Sequence, residues 1–196
     1  MTDRERFEGA LRSVGRAGVD TVIAELDKLG FFTAPASTRF HLAETGGLLK
    51  HSLNVYDQAR VISAVETKIR PDLAERLPDD SIAIVALLHD VCKADIYTTE
   101  IKHRKVNGKW EDYTGYGVDF SGLPLGHGEK SVIRLLRWGL ELTDDEMLAI
   151  RWHMHAWDVS DSPDARGNLN AASDSCPLLA ILIAADGLAS RLQETR

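Results

Sequence analysis

The chain has 196 residues, of which 44% are apolar and 27% are charged, and this balance excludes an intrinsically disordered protein. Its formal net charge of −7 argues against a protein that coats nucleic acid with its whole surface. The two cysteines, Cys92 and Cys176, are too few for a disulfide framework or for a structural zinc site made of thiolates alone. The N-terminal residues lack an apolar signal core, and the longest apolar run, 178–185, is too short to span a bilayer. A cytoplasmic, reducing location with no membrane partner is therefore expected.

Apolar residues recur mostly at helical spacing, so the pattern predicts a mainly helical chain. Helices are predicted, in chain order, over residues 3–14, 19–29, 46 to about 68, 81–94, about 126–138, 144–153 and 177 to about 192. Gly30 ends the second helix, and a loop is expected over residues 31–45. Asp80 is predicted to cap the helix over 81–94, and Thr143 with Glu146 has the form of a capping box.

Residues 97–118 break the helical pattern and contain Asn107-Gly108, a dipeptide that favours a two-residue type I′ turn. Such a turn would set two cross-strand pairs: Val106 with Lys109, and Arg104 with Glu111. The predicted fold is therefore all-α, with a small β-hairpin inserted between helices. No repeat or linker divides the sequence, so one domain is expected over 1–196, with N-terminal helices in 1–45 and a core in 46–196.

Metal-capable side chains occur inside or beside apolar stretches at five places: His51, His89-Asp90, His127, His153 and Asp186. Asp186 is the most informative, because it follows the apolar run 178–185 and a buried unpaired carboxylate costs several kcal/mol at least. Lysine and arginine are absent between Gly167 and Ser190, so no local salt bridge is available. We therefore expect Asp186 to be paired, hydrogen-bonded or bound to metal.

Each of these residues taken singly is better explained as a satisfied core residue, but the set taken together indicates a metal site. Imidazole and carboxylate groups suit borderline divalent metals, and the absence of thiolates favours an open catalytic site over a structural one. Six ligands from five helices could hold two metals with a bridging aspartate. Such a pair generates hydroxide at neutral pH and clamps a phosphoryl group.

The order His51, His89-Asp90, Asp186 resembles the pattern of the HD-domain superfamily. Residues 46–55, GGLLKHSLNV, are similar to the first-histidine segment of bacterial HD hydrolases, and residues 86–93, ALLHDVCK, are similar to the signature helix with its following lysine. The resemblance covers about residues 41–189. It implies a single HD domain with a helical-bundle core, and a first metal held by His51, His89, Asp90 and Asp186.

Family members with a second metal add two histidines, for which His127 and His153 are the matching candidates, with Asp90 bridging. His155 lies close enough to leave the last assignment open. The resemblance also implies catalytic roles for Asp90 and Lys93, and phosphate binding by Lys93. Lys130 lies one turn beyond His127 and could bind phosphate in the same way. One or two divalent transition metals (Mn, Fe, Co, Ni or Zn) are the expected cofactors.

The expected activity is that of a metal-dependent phosphohydrolase or phosphodiesterase, acting through a metal-bound hydroxide. Its expected partner is a small phosphorylated substrate: a nucleotide, a short oligonucleotide or another phosphate ester. Two alternatives remain open at this stage, a di-iron oxygenase of HD type and a non-catalytic HD module that binds a nucleotide. The sequence leaves the oligomeric state open.

Overall fold

The computed structural model describes residues 1–159 and 162–194, which are mostly helical and carry one small antiparallel sheet. The elements in chain order are α1 (Asp3–Ser13), α2 (Val19–Lys28), α3 (Gly47–Ile69), α4 (Asp79–Leu88), β1 (Tyr97–Val106), β2 (Lys109–Val118), α5 (His127–Arg137), α6 (Asp144–Trp152), α7 (Pro163–Ser175) and α8 (Pro177–Leu188). Short 3₁₀ turns lie at Pro71–Arg76, Val91–Lys93 and His155–Asp158, and a π-helical turn, Ala189–Gln193, follows α8. The helical fold with a β-hairpin is thus confirmed.

Helix α4 is the most deeply buried element, and it determines where the interior polar groups lie. All eight of its residues from Ser81 to Leu88 are buried, so its sequence is apolar on every face. It packs against α3, α6 and α8, while α6 also packs against α5. The residues that follow its C-terminal end therefore lie inside the molecule, surrounded by four other helices.

The β-hairpin has the predicted turn and register. Asn107 has a φ of 50° and Gly108 a φ of 83°, and a type I′ turn requires positive φ at both central residues. The strands pair as expected from that turn: Val106 with Lys109, and Arg104 with Glu111. At the base of the hairpin, the Tyr97 hydroxyl donates a hydrogen bond of 2.9 Å to the Ala36 carbonyl, which ties the insertion to the loop before α3.

The prediction that Asp80 caps α4 is wrong. The helix begins two residues earlier than predicted, at Asp79, with Pro78 at the N-cap position and no side-chain cap. The Asp80 carboxylate instead accepts a hydrogen bond of 2.6 Å from Arg16 Nη2. A long-range ion pair with the chain segment after α1 therefore replaces the local cap that the sequence pattern favours.

The predicted C-terminal end of the same helix is also wrong, because α4 stops at Leu88 instead of continuing to Ala94. Asp90 adopts a φ of −101° and a ψ of 18°, outside helical geometry. His89 keeps helical backbone angles as the C-cap residue, and the chain leaves the helix at Asp90. The adjacent His89 and Asp90 side chains therefore lie at the buried end of α4, where they meet in one cluster.

Two further differences concern the C-terminal part of the chain. Helix α7 was not predicted, and its sequence explains why, since Ala172 is its one buried residue and no apolar stripe marks it. The predicted last helix is present as α8, but it ends at Leu188 and continues as the π-helical turn. That turn directs the chain back towards α3, against which it packs.

No single helix in the described ranges is both long and apolar enough to cross a membrane. Two consecutive segments, Pro163–Ser175 and Pro177–Gln193, are long and apolar enough to cross a membrane only when they are counted together, and by length and composition alone. The pair is bent by 98° at the break between them.

A tight helix contact at Gly128 yields a test of this packing. A Cβ atom at Gly128 of α5 would lie 2.2 Å from the carbonyl oxygen of Arg151 in α6. We predict that Gly128→Ala lowers the free energy of unfolding by about 1–3 kcal/mol, because the two helices must separate. Chemical denaturation followed by circular dichroism measures this change.

Gly167→Ala is the matched control, since Gly167 lies in α7 and nothing lies within 4 Å of its added Cβ. This control should raise the free energy of unfolding by about 0.5–1 kcal/mol, because alanine loses less backbone entropy than glycine on folding. Equal stabilities of the two variants would contradict the described α5–α6 contact.

Candidate metal centre

The six side chains predicted to bind metal come together beyond the C-terminal end of α4. They are supplied by α3 (His51), the residues after α4 (His89 and Asp90), the first residue of α5 (His127), the residue after α6 (His153) and α8 (Asp186). Asp90 lies at the centre and is 1% exposed. The packing of α3, α6 and α8 around α4 therefore explains why residues so distant in sequence meet at this point.

The two carboxylate oxygens of Asp90 divide the histidines into two pairs. Asp90 Oδ2 lies 3.3 Å from His89 Nε2 and 3.6 Å from His51 Nε2. Asp90 Oδ1 lies 2.7 Å from His127 Nε2 and 3.6 Å from His153 Nε2. Within each group the three ligand atoms lie within 4.8 Å of one another. We call the first group the His51 position and the second the His127 position.

The orientation of His89 and His153 fits a metal ion. Their Nδ1 atoms lie 3.0 Å from the Ala86 carbonyl oxygen and 2.8 Å from the Ile150 carbonyl oxygen. A carbonyl oxygen can only accept a hydrogen bond, so Nδ1 carries the proton and Nε2 carries a lone pair. Both Nε2 atoms are buried and have no hydrogen-bond partner among residues 1–159 and 162–194. An unsatisfied buried acceptor is costly, and a cation at each position would satisfy one of these two nitrogens.

The other two histidines have partners at Nδ1 that the sequence did not indicate. His51 Nδ1 lies 3.0 Å from a carboxylate oxygen of Glu194, just after the π-helical turn. His127 Nδ1 lies 3.4 Å from the sulfur of Cys92, which is 2% exposed. Groups that orient the far nitrogen of a ligating histidine are typical of metal sites. No local pattern marks Glu194 or Cys92, because each meets its histidine only through tertiary packing.

Charges in this cluster shift the pKa values of its members. Burial alone lowers the pKa of His51, but hydrogen bonds with Asp186 and Glu194 outweigh it and raise that pKa to about 9. Burial likewise opposes protonation of His127, whereas Cys92 and Asp90 raise its pKa to about 9. Burial would raise the pKa of Asp90, but the charge of Lys93 outweighs it and, with the hydrogen bond from His127, holds that pKa well below its usual value. Asp90 is therefore an ionised carboxylate.

Asp186 differs in part from its prediction. Its carboxylate is paired, as expected, with Oδ1 lying 3.4 Å from His51 Nε2. Its side chain is nevertheless 24% exposed and not fully buried, because it borders an open cavity. Burial raises the pKa of Asp186, but the hydrogen bond with His51 outweighs this and holds the pKa below its usual value. Asp186 thus connects the His51 position to solvent.

The remaining predicted residues lie at different distances from this cluster. Lys93 Nζ contacts Asp90 Oδ2 at 2.7 Å and its side chain is 15% exposed. Burial lowers the pKa of Lys93, but the Asp90 charge raises it above its usual value, so the side chain is a cation. His155 is exposed and belongs to neither group, whereas His153 lies beside Asp90. The structure thus favours His153 over His155 as the candidate metal ligand, a choice that the sequence left open.

The Lys130 side chain contacts groups outside the histidine and aspartate cluster. Its ammonium donates a hydrogen bond of 2.7 Å to the Gly122 carbonyl and lies 3.3 Å from Asp95 Oδ1. Only 4% of the residue is exposed. Its proposed contact with substrate stays a prediction, and these bonds favour a role in holding the loop before α5.

An open cavity of about 850 Å³ adjoins the cluster. Its lining includes His153, Asp186 and Lys93 from the cluster, and Phe40 and Trp157 from the surrounding loops. A second, smaller cavity of about 360 Å³ borders His127 and shares Trp157 with the first. Both groups of candidate ligands are thus accessible from solvent-connected space of a size typical for small-molecule binding.

No family model matches this chain, and no significant match occurs among curated proteins or solved structures. What the structure shows is a helical protein with buried histidine and aspartate groups, close to one another, that could hold a metal ion.

The raised pKa values of His51 and His127 predict that metal binding displaces protons. Both rings are protonated at pH 7 in the metal-free protein, because their pKa values lie near 9, and a ligating imidazole must be neutral. The apparent affinity should therefore rise about tenfold per pH unit from pH 7 and level off near pH 9 for each one-proton site. Calorimetric titration with Zn²⁺ in buffers of different ionisation enthalpy measures the proton release. An affinity independent of pH between 7 and 9 would contradict the described contacts.

Proposed function

We propose that this protein is a metal-dependent phosphohydrolase of HD type. The observation that carries the proposal is the carboxylate of Asp90, shared between two pairs of histidines whose Nε2 atoms face it. An aspartate in this place has one oxygen for each of two cations, which suits a bridged pair of metals. The proposal assigns His51, His89, Asp90, His127, His153 and Asp186 as metal ligands.

The order of the ligands along the chain supports the HD assignment. The first histidine lies on a long helix, the His-Asp pair follows a buried helix, and the last aspartate lies on a late apolar helix. A histidine, an adjacent His-Asp pair and a distant aspartate, in that order, are what the resemblance to the HD superfamily implies. The absence of thiolate from both ligand groups further supports an open catalytic centre over a structural metal site.

The protein groups have distinct roles in this proposal. Bound divalent metals would supply a nucleophile from water near neutral pH and would neutralise charge on the phosphoryl group. Asp90 would hold both metals, and it stays ionised because Lys93 and the hydrogen bond from His127 stabilise its charge. Lys93, a cation at the edge of the larger cavity, offers its ammonium to a phosphoryl oxygen. The carbonyl groups of Ala86 and Ile150 keep two histidine rings in the tautomer that ligation needs.

The larger cavity favours a small phosphorylated substrate. It is lined at one end by ligand residues and on its walls by Phe40 and Trp157, whose exposed fractions are 64% and 88%. Exposed rings of this kind offer surfaces for stacking against an aryl group or a nucleobase. Arg191, also in the lining, adds a second cation. A phosphate ester that carries a planar ring fits this combination of charge and apolar surface.

Hydrolysis of phosphate esters by reconstituted protein tests the proposal. Metal-free protein loaded separately with Mn²⁺, Co²⁺, Ni²⁺ or Zn²⁺ should release phosphate from members of a panel of nucleotides, aryl phosphates and alkyl phosphates. Lys93→Ala should lower kcat/KM by about 10- to 100-fold at unchanged metal content, because a charge-assisted contact with the phosphoryl group is lost.

Lys68→Ala is the matched control, since Lys68 is exposed near the end of α3, and its kcat/KM should equal that of the wild type. Failure of every metal on every ester would contradict the proposal. Oxygen consumption by the Fe²⁺-loaded protein in the presence of small alcohols or phosphonates would instead favour oxygenase chemistry.

A further inference from the structure

The two candidate metal positions differ in what lies behind their histidines. His89 and His153, one in each position, are both oriented by neutral backbone carbonyls. The remaining pair differs, because His127 is oriented by the sulfur of Cys92 and His51 by the carboxylate of Glu194. A carboxylate behind a ligating imidazole fixes the ring and increases the basicity of the ligating nitrogen. The two positions should therefore not bind metal equally.

Glu194 is held firmly in place. Its two oxygens lie 3.1 and 3.0 Å from His51 Nδ1, and its side chain is 1% exposed. Asn54, on the same helix as His51, donates a hydrogen bond of 2.9 Å to Glu194 Oε1. His41 Nε2 lies 4.0 Å from Glu194 Oε2. A buried carboxylate with this set of partners is ordered and cannot turn towards solvent without losing them.

The π-helical turn is what delivers Glu194 to this place. The Glu194 backbone N–H donates a hydrogen bond of 3.0 Å to the carbonyl of Ala189, five residues earlier. The turn Ala189–Gln193 packs against α3, the helix that carries His51 and Asn54. π-helical turns within or beside α-helices are rare and often occur at functional sites. Here the turn brings a carboxylate from the end of α8 to the rear of a candidate metal ligand.

Charge also distinguishes the two positions. Both share Asp90, but two further carboxylates, those of Asp186 and Glu194, contact His51. The ammonium of Lys93 lies beside Asp90 Oδ2 and offsets one of the three negative charges that these carboxylates carry. Within the described part of the chain, the contacts to His127 beyond Asp90 contain the sulfur of Cys92 and no second carboxylate. The His51 position is therefore the more negative of the two.

We infer that Glu194 is a positioning residue that makes the His51 position the tighter of the two metal positions. This inference rests on the proposed metal binding. If Glu194 serves only to anchor the C-terminal segment to α3, removing its charge changes stability but leaves the difference between the positions intact. Metal affinity measured for each position separates these roles.

The test is a titration of metal-free protein with Mn²⁺ alone, in which electron paramagnetic resonance counts the free hydrated ion. The wild type should show one tight and one weaker position. Glu194→Gln keeps the size of the side chain and removes its charge, and it should weaken the tight position about 10- to 100-fold. The weaker position should stay within about twofold of its wild-type affinity, because His127, His153 and Asp90 are unchanged.

Two further variants complete the design. Glu75→Gln makes the same change on an exposed side chain and should leave both affinities unchanged. Glu194→Asp retains the charge and should recover part of the lost affinity, whereas a variant that merely loosens the fold would not regain it. Thermal denaturation of each metal-free variant reports loss of folding directly.

Equal weakening of both positions by Glu194→Gln, or no weakening at all, would overturn the inference while leaving the proposed function in place. Uptake of no Mn²⁺ by the wild type would instead overturn the metal-binding premise of the proposed function, and the inference with it.

Discussion

The structure depends on how one buried charge is compensated. Asp90 is 1% exposed, and an isolated carboxylate at such a site would cost several kcal/mol. Its charge is balanced by Lys93 at 2.7 Å and by His127, whose Nε2 also lies 2.7 Å from the carboxylate. The helix ends that supply those residues therefore meet at Asp90, directly after the end of the buried helix α4.

Two nitrogen atoms that face Asp90 have no hydrogen-bond partner in the described ranges, and a metal cation would bind their lone pairs. The Nε2 atoms of His89 and His153 are buried without a hydrogen-bond partner in the described ranges, although both rings are fixed by backbone carbonyls at Nδ1. A core built only for stability would satisfy these acceptors or replace them with apolar groups. Lone pairs that point at a shared carboxylate are instead what a metal ion requires. The histidines around Asp90 could therefore hold a metal ion.

The sequence predicted what depends on local pattern. The hairpin follows from Asn107-Gly108, and the capping box of α6 from Thr143 and Glu146, both of which the structure contains. The ligand set followed from polar residues at the ends of apolar runs, together with the HD resemblance, and the structure places these residues side by side. A local pattern could not reveal Glu194, which lies 143 residues from its partner His51.

Two errors have related causes in tertiary structure. The helix was predicted to continue past Leu88 because Val91 and Ala94 are apolar, and both are buried although the chain leaves the helix at Asp90. The partial exposure of Asp186 arises because the apolar run before it faces the core while the carboxylate borders the cavity. Helical periodicity describes which face of an element is buried. It does not describe where an element stops or where a cavity opens.

The most direct test of the account is elemental analysis of the protein purified from unsupplemented cells, compared with the Asp90→Ala variant. We predict about two equivalents of transition metal per chain in the wild type, one for each oxygen of a bridging carboxylate, and loss of both in the variant. No bound metal in the wild type, even after reconstitution with Mn²⁺, Co²⁺, Ni²⁺, Zn²⁺ and Fe²⁺, would contradict the account. In that case the histidines around Asp90 would be structural residues that balance its charge.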